Sequence, residues 1–248
     1  MVFPFDLPTW TACAAIVAGA YVIFGITTFG AALFTVPALS FFFPLKFVLP
    51  MCVLLDVSAA LALGVRFSGD ADRGELKWMA PFSLAGAIAG VTALVTLPQQ
   101  ATIIAFGIFL CGYGLHSLGA GAAVTGIARH PWAVISGFCG GASGTLFGVG
   151  APPYAIYLSR RLPDKAILRA TLSNMVLLST AIRALVFLAG GLMLLDRVTG
   201  FLSLLPFALG GLWAGHRIQL KVSRERLLKI ISVLLLLIGA SLLVRTLR

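Results

Sequence analysis

Charge is what this chain has least of. Only 10% of its 248 residues are charged, eight are Asp or Glu, and three are His. A soluble domain is about a quarter charged, so a soluble globular fold is excluded. The four cysteines, Cys13, Cys52, Cys111 and Cys139, all lie in apolar stretches and form no Cys-x-x-Cys pair. They exclude a zinc site or a disulfide framework and read as small packing residues. Cys139 alone lies beside a glycine-rich break, where contact with a substrate is open to it. His116, His130 and His216 stand apart from any Cys or carboxylate cluster, so no metal is expected. There is no Ser-His-Asp pattern and no Walker loop. No strand precedes Gly148-x-Gly150, so a dinucleotide site is not expected either. Neither a catalytic residue nor a cofactor is assigned. No basic residue precedes Lys46, so the N-terminus does not read as a cleaved signal peptide.

What is present is apolar: 60% of the residues are hydrophobic, with a mean hydropathy of +1.04. Apolar segments of about twenty residues recur along the chain, the length of a membrane-spanning helix and unlike the short alternating strands of a barrel. The reading is an all-α polytopic membrane protein. A net charge of +10 in a soluble protein points to nucleic acid. Here loop Lys and Arg fix orientation in the bilayer, and no nucleic-acid partner is expected.

The stretch Gly140-Gly141-Ala142-Ser143-Gly144-Thr145-Leu146-Phe147-Gly148-Val149-Gly150-Ala151-Pro152-Pro153 interrupts an apolar run. Broken backbone at membrane depth must be buried in protein or line a cavity. A weaker copy, Gly25 to Ala32 followed by Pro37, interrupts residues 9–44. That segment would be about 54 Å long as one straight helix, against a core of about 30 Å. Each break is therefore expected at the apex of a V-shaped hairpin. The first has arms Thr9–Phe24 and Ala31–Phe43, and the second covers 132–158. Spans are expected at 47–65, 78–97 and 101–118, then at 167–190, 198–215 and 227–244. The stretch Arg66 to Lys77 reads as a charged loop.

The chain repeats itself. Residues 81–90 (PFSLAGAIAG) and 206–215 (PFALGGLWAG) share six of ten positions at an offset of 125. Gly30 and Gly150 pair at 120, and Lys46 and Lys165 at 119. The domains are read as two repeats, 1–124 and 125–248, each a broken hairpin plus three spans. With non-crossing hairpins the repeats are inverted. One side then carries four basic residues and the other thirteen, with Arg183 inside a span. The positive-inside rule prefers this to a seven-against-ten split from simple spans. Both termini are placed outside and the basic loops in the cytoplasm. The glycine pairs Gly86/Gly90 and Gly211/Gly215, related by the repeat, are expected to pack within the protomer. The oligomeric state stays open.

Inverted repeats with broken helices are a recurrent transporter design. The arm after each break starts with unpaired N–H groups at the positive end of its dipole, a ready anion site. Candidate substrate-binding residues are Thr27, Thr28 and Gly30 at the first break. At the second they are Ser143, Gly144, Thr145, Gly148, Gly150 and Pro152. Asp56, Asn174 and Arg183 join them, because polar and charged groups inside spans are costly and often functional. Arg183 attracts an anion; Asp56 pairs with Arg183 or carries a proton.

Residues 144–153 (GTLFGVGAPP) resemble the glycine-rich motif that opens the second half of the TauE/SafE sulfite exporter family. Gly30-Ala31-Ala32 with Pro37 resembles the family's triple glycine and following proline, with two glycines replaced by alanine. The Arg73-Gly74-Glu75 turn, the two Pro-Phe-x-Leu-x-Gly-x-x-Ala-Gly segments and the last helix, which contains Gly239, are also similar. The resemblance implies a carrier in the cytoplasmic (inner) membrane that moves small anionic sulfur compounds such as sulfite or a sulfonate. The expectation is a secondary transporter, not an enzyme, that exports such an anion by alternating access at the apices of two hairpins. The inside-negative potential favours outward movement by about 2.3 kcal/mol per charge per 100 mV. An uptake carrier, a channel for another small anion and a non-transport membrane assembly partner are the alternatives. The two alanines predict that the second break holds the anion more tightly.

Overall fold

In this computed structural model the described residues are 6–27, 31–62, 69–119 and 130–218, with 236–237, 239–241 and 243–244 near the C-terminus. They form α1 (Leu7–Thr27), α2 (Ala31–Leu39), α3 (Leu45–Ala62), α4 (Arg73–Thr96) and α5 (Gln99–Gly119). These are followed by α6 (Pro131–Phe147), α7 (Ala151–Arg161), α8 (Lys165–Ala189) and α9 (Leu195–Ile218). No strand occurs among the described residues. Five helices, α1, α3, α4, α8 and α9, are long and apolar enough to cross a membrane; α5 contains a shorter apolar stretch, Gln99–Leu115. The expected span 227–244 lies mostly outside the described residues.

Helix ends differ from expectation where a side chain caps them. α4 starts at Arg73, not at residue 78. Asp72 Oδ1 accepts the N–H groups of Gly74 (2.8 Å) and Glu75 (3.1 Å). The charges read as a loop are thus partly a capped first turn, with acid at the positive end of the dipole. Asp164 does the same for α8, accepting from Ala166 (2.7 Å) and Ile167 (3.1 Å).

The glycines divide into two kinds. Gly140, Gly141 and Gly144 are helical within α6, and Gly25 is helical within α1, so they are not part of the breaks. The second break is only Gly148–Gly150. Residues 28–30 of the expected first break, with Thr28 and Gly30, and the side chain of Thr27 lie outside the described set. At 21 residues α1 is longer than the expected arm, and at 9 residues α2 is shorter, ending at Leu39.

The chain divides into two compact units that interleave in sequence. One comprises Met1–Leu55, Leu97–Ala123 and Met193–Arg248; the other comprises Asp56–Thr96 and Val124–Leu192. In the first, α1 lies along α9. A Cβ on Gly211 would meet the Ala18 carbonyl, and one on Gly215 the Val22 carbonyl. In the second, α6 lies along α4. A Cβ on Gly86 would meet the Phe138 carbonyl, and one on Gly90 would come 2.9 Å from the Ala142 carbonyl. Gly86 and Gly211, like Gly90 and Gly215, are 125 apart; Ala18 and Phe138, like Val22 and Ala142, are 120 apart. Both units therefore make the same crossing. In each, a helix preceding a break in one sequence half packs on a Pro-Phe helix from the other half. Both glycine pairs are used within the chain.

The core of the described residues is apolar, but it also holds polar groups, and the surface carries large apolar side chains. Glu75, Ser83, Thr145, Thr171, Asn174 and Arg183 are buried, while Leu84, Ile88, Leu185, Leu188 and Trp213 are exposed. Water would penalise those side chains; hydrocarbon does not.

Candidate functional site

The second unit concentrates its buried polar groups around the end of α6. α6 stops at Phe147 because Gly148 turns left-handed (φ 77), its N–H bonding to the Gly144 carbonyl. Val149 N–H then reaches the Ser143 carbonyl at 3.4 Å. α7 starts at once, with Gly150 as N-cap and no side-chain cap. Pro152 and Pro153 lack N–H groups, which removes two donors from the first turn. The N–H groups of Gly150 and Ala151 remain at the start of α7, where the helix itself supplies no acceptor.

α8 lays a polar stripe against this break. Its buried residues are Thr171, Asn174, Met175, Ser179, Arg183 and Phe187, at i, i+3, i+4, i+8, i+12 and i+16 on one face. Tyr154 Oη lies 2.7 Å from Ser83 Oγ and donates to Ser179 Oγ at 3.0 Å. Arg183 is one turn further on and 6% exposed. Its Nη1 donates to the Gly144 carbonyl (3.1 Å) and its Nη2 to Asp56 Oδ2 (2.7 Å). Its Nε is buried and has no partner among the described residues. A guanidinium is thus anchored on the last turn of a broken helix with its Nε unspent.

The structure brings Gly144, Gly150, Asp56 and Arg183 into this cluster, with Gly148 forming its turn. Asn174 and Pro152 are buried beside it in sequence. Ser143 and Thr145 are also buried, but their hydroxyls donate back to the Gly140 (3.4 Å) and Gly141 (3.0 Å) carbonyls. Thr145 also packs on α4 at Gly90. Sequence reasoning missed Ser83, Tyr154 and Ser179. In apolar windows their hydroxyls look like small packing polarity; the available signal for Ser179 was its position one turn before Arg183.

A second cluster closes the base of the α6–α7 hairpin. Glu75, 3% exposed, accepts from Tyr157 Oη (2.6 Å) and Arg161 Nε (2.8 Å). Arg161 Nη2 lies 2.8 Å from His130 Nε2. His130 precedes α6 and Arg161 ends α7, so the two outer ends meet on one carboxylate. That carboxylate raises the affinity of the Arg161 guanidinium for its proton. Among the described residues no group of His, Cys, Asp and Glu has the arrangement of a metal site.

Apolar helices of spanning length, an apolar surface and a buried ionic centre at a helix break define a polytopic helical membrane protein. A family model described as "Sulfite exporter TauE/SafE" matches residues 12–242, nearly the whole chain. The chain belongs to this family of membrane anion exporters. No curated protein and no solved structure matches it.

Proposed function

We propose that this protein is a secondary transporter of the cytoplasmic membrane that exports a small sulfur oxyanion, sulfite or an organosulfonate, by alternating access. In this reading its two sequence halves are inverted repeats, each hairpin returns to its own side, and both termini lie outside. The observation that carries the substrate's sign is the buried Arg183 guanidinium with an unspent donor at the second break. The N–H groups of Gly150 and Ala151 add the positive end of α7, and Ser179 adds a hydroxyl. Among the earlier candidates, Gly144, Gly148, Gly150, Arg183 and Asp56 form the centre. Ser143, Thr145, Asn174 and Pro152 shape it, and Thr27, Thr28 and Gly30 are the counterparts at the first break.

Proteoliposome flux with labelled sulfite, thiosulfate, sulfate and isethionate tests the function. Saturable flux of at least one is expected, and none above protein-free vesicles defeats the reading. Gly144→Ala tests the place. A Cβ there would lie 3.6 Å from Gly150 N and 3.7 Å from Ser179 Oγ, ordinary contact distances, so the helix accepts it. Alanine in a helix interior is also about 0.5–1 kcal/mol better than glycine. The methyl would occupy the space beside two proposed donors. KM is expected to rise about tenfold, a loss of ~1.4 kcal/mol in binding, with no fall in melting temperature. An unchanged KM would move the site elsewhere.

A further inference from the structure

We infer that Tyr154 is a positioning residue for the anion site. Through a relay of hydroxyls with Ser83 it fixes Ser179 as a hydrogen-bond donor to the anion. That donor separates an anion with three oxygens on one atom from a two-oxygen carboxylate. This rests on the transport function proposed above.

A serine or threonine inside a helix commonly gives its proton to a carbonyl one turn back. Thr145 and Thr171 do so, bonding to the Gly141 (3.0 Å) and Ile167 (2.8 Å) carbonyls. Ser83 on α4 and Ser179 on α8 bond to the Tyr154 hydroxyl instead, and all three side chains are buried. A phenol has one proton. Tyr154 gives it to Ser179 Oγ at 3.0 Å, so in the 2.7 Å contact with Ser83 the tyrosine accepts and the serine donates. The relay therefore has one direction, from Ser83 through Tyr154 to Ser179. A hydroxyl that accepts keeps its own proton to donate.

The tyrosine ring is fixed independently of this relay. It stands where a Cβ on Gly140 would be, and it packs in a buried cluster with Met79, Ala133 and Met175. Phenylalanine would keep that packing and lose only the hydroxyl.

The relay ends at the break. A Cβ on Gly144 would lie 3.7 Å from Ser179 Oγ, and one on Gly150 3.5 Å from it. The Gly144 carbonyl anchors Arg183 Nη1, and Gly150 caps α7. Three kinds of donor thus surround the same two glycines: the guanidinium with its Nε unspent, the first N–H groups of α7, and the Ser179 hydroxyl. A guanidinium and a helix N-terminus suit the two oxygens that any carboxylate supplies. The hydroxyl takes a third. Sulfite, thiosulfate, sulfate and isethionate each carry at least three oxygens on one sulfur. A carboxylate leaves the hydroxyl unmatched, and a site built to hydrogen-bond a group discriminates against a ligand that lacks it.

The test uses the same proteoliposomes and whichever of those four labelled anions has the lowest KM. Unlabelled 3-hydroxypropanoate, the carboxylate counterpart of isethionate, is the competitor. In wild-type protein its inhibition constant is expected to lie at least about tenfold above that KM. Ser179→Ala and Tyr154→Phe are each expected to raise the KM about tenfold. Maximal flux and the carboxylate's inhibition constant are expected to stay as in wild type, so the two constants converge. The double variant, Tyr154→Phe with Ser179→Ala, is expected to be no worse than Ser179→Ala alone, because Tyr154 acts through Ser179. An unchanged KM, a fall in maximal flux alone, equal losses for both anions, or losses that multiply in the double variant overturn the inference. So does a carboxylate that competes as well as the sulfur anion in wild type, or one that competes with no form of the protein. Each of these leaves the transport function standing. Absence of any saturable wild-type flux overturns both.

Discussion

Arg183→Gln is expected to abolish saturable anion transport. Glutamine keeps a polar side chain but loses the charge and the fork. Truncating one partner of a buried, hydrogen-bonded charge pair costs roughly 2–5 kcal/mol, so a rise in KM of about a hundredfold or more is expected in flux assays. The same change strands Asp56, which destabilises the fold on its own account. A double variant, Asp56→Asn with Arg183→Gln, separates the two effects. Without a stranded carboxylate, its melting temperature is expected to recover toward the wild-type value. Its transport is expected to stay lost. If the double variant regains both, Arg183 is a structural partner only, and the anion binds elsewhere.

The second large effect is expected at the helix crossings. At Gly86 and Gly211 even a Cβ would run into a facing backbone carbonyl, of Phe138 and Ala18 respectively. Backbone cannot yield as a flexible side chain can, so the two helices must part. Gly86→Leu and Gly211→Leu are each expected to cost more than about 3 kcal/mol, beyond the usual range for overpacking. Detergent-extracted protein would then be lost or aggregated in size-exclusion chromatography. Gly210 is the internal control. It neighbours Gly211 in the same helix, yet a Cβ there meets nothing within 4 Å. Gly210→Leu is expected to give monodisperse protein at wild-type yield. Equal tolerance of leucine at 210 and 211 would refute the α1–α9 crossing, and tolerance at 86 would refute the α4–α6 crossing.

These crossings show what was legible in the sequence and what was not. The offset of 125 between the Pro-Phe helices marked Gly86, Gly90, Gly211 and Gly215 as related, and the contacts are related in the same way. Which helix each would meet was not legible. The partners come from opposite sequence halves, and no local pattern encodes a contact of that separation. The break itself was overdrawn. A run of glycines looks like one irregular stretch, but helix propensity is a weak prior where a neighbouring backbone sits close. Gly140 and Gly141 stay helical because Tyr154 and Ser83 press against them. Only Gly148, with its positive φ, ends the helix.

The ionic centre was partly legible. Asp56 and Arg183 stand out because charges inside apolar spans are rare. Their pairing across 127 residues was one option, and the anchoring of Arg183 on Gly144 was not visible at all. The Glu75 cluster was hidden for another reason. Glu75 lies in a charged stretch that reads as solvated, and only the return of α7 shows that Tyr157 and Arg161 bury it. Ser143 and Thr145 were attractive as hydroxyl donors beside a break. A helix offers them a carbonyl one turn back, and they take it.

In the proposed transporter one anion site lies at the second break and is built on Arg183. Equilibrium binding of ³⁵S-labelled sulfite and isethionate to the purified protein tests it most directly. Saturable binding of one anion per chain, competition between the two compounds, and loss of that binding in Arg183→Gln are expected. No saturable binding of either compound, or saturable binding untouched by Arg183→Gln, would contradict it.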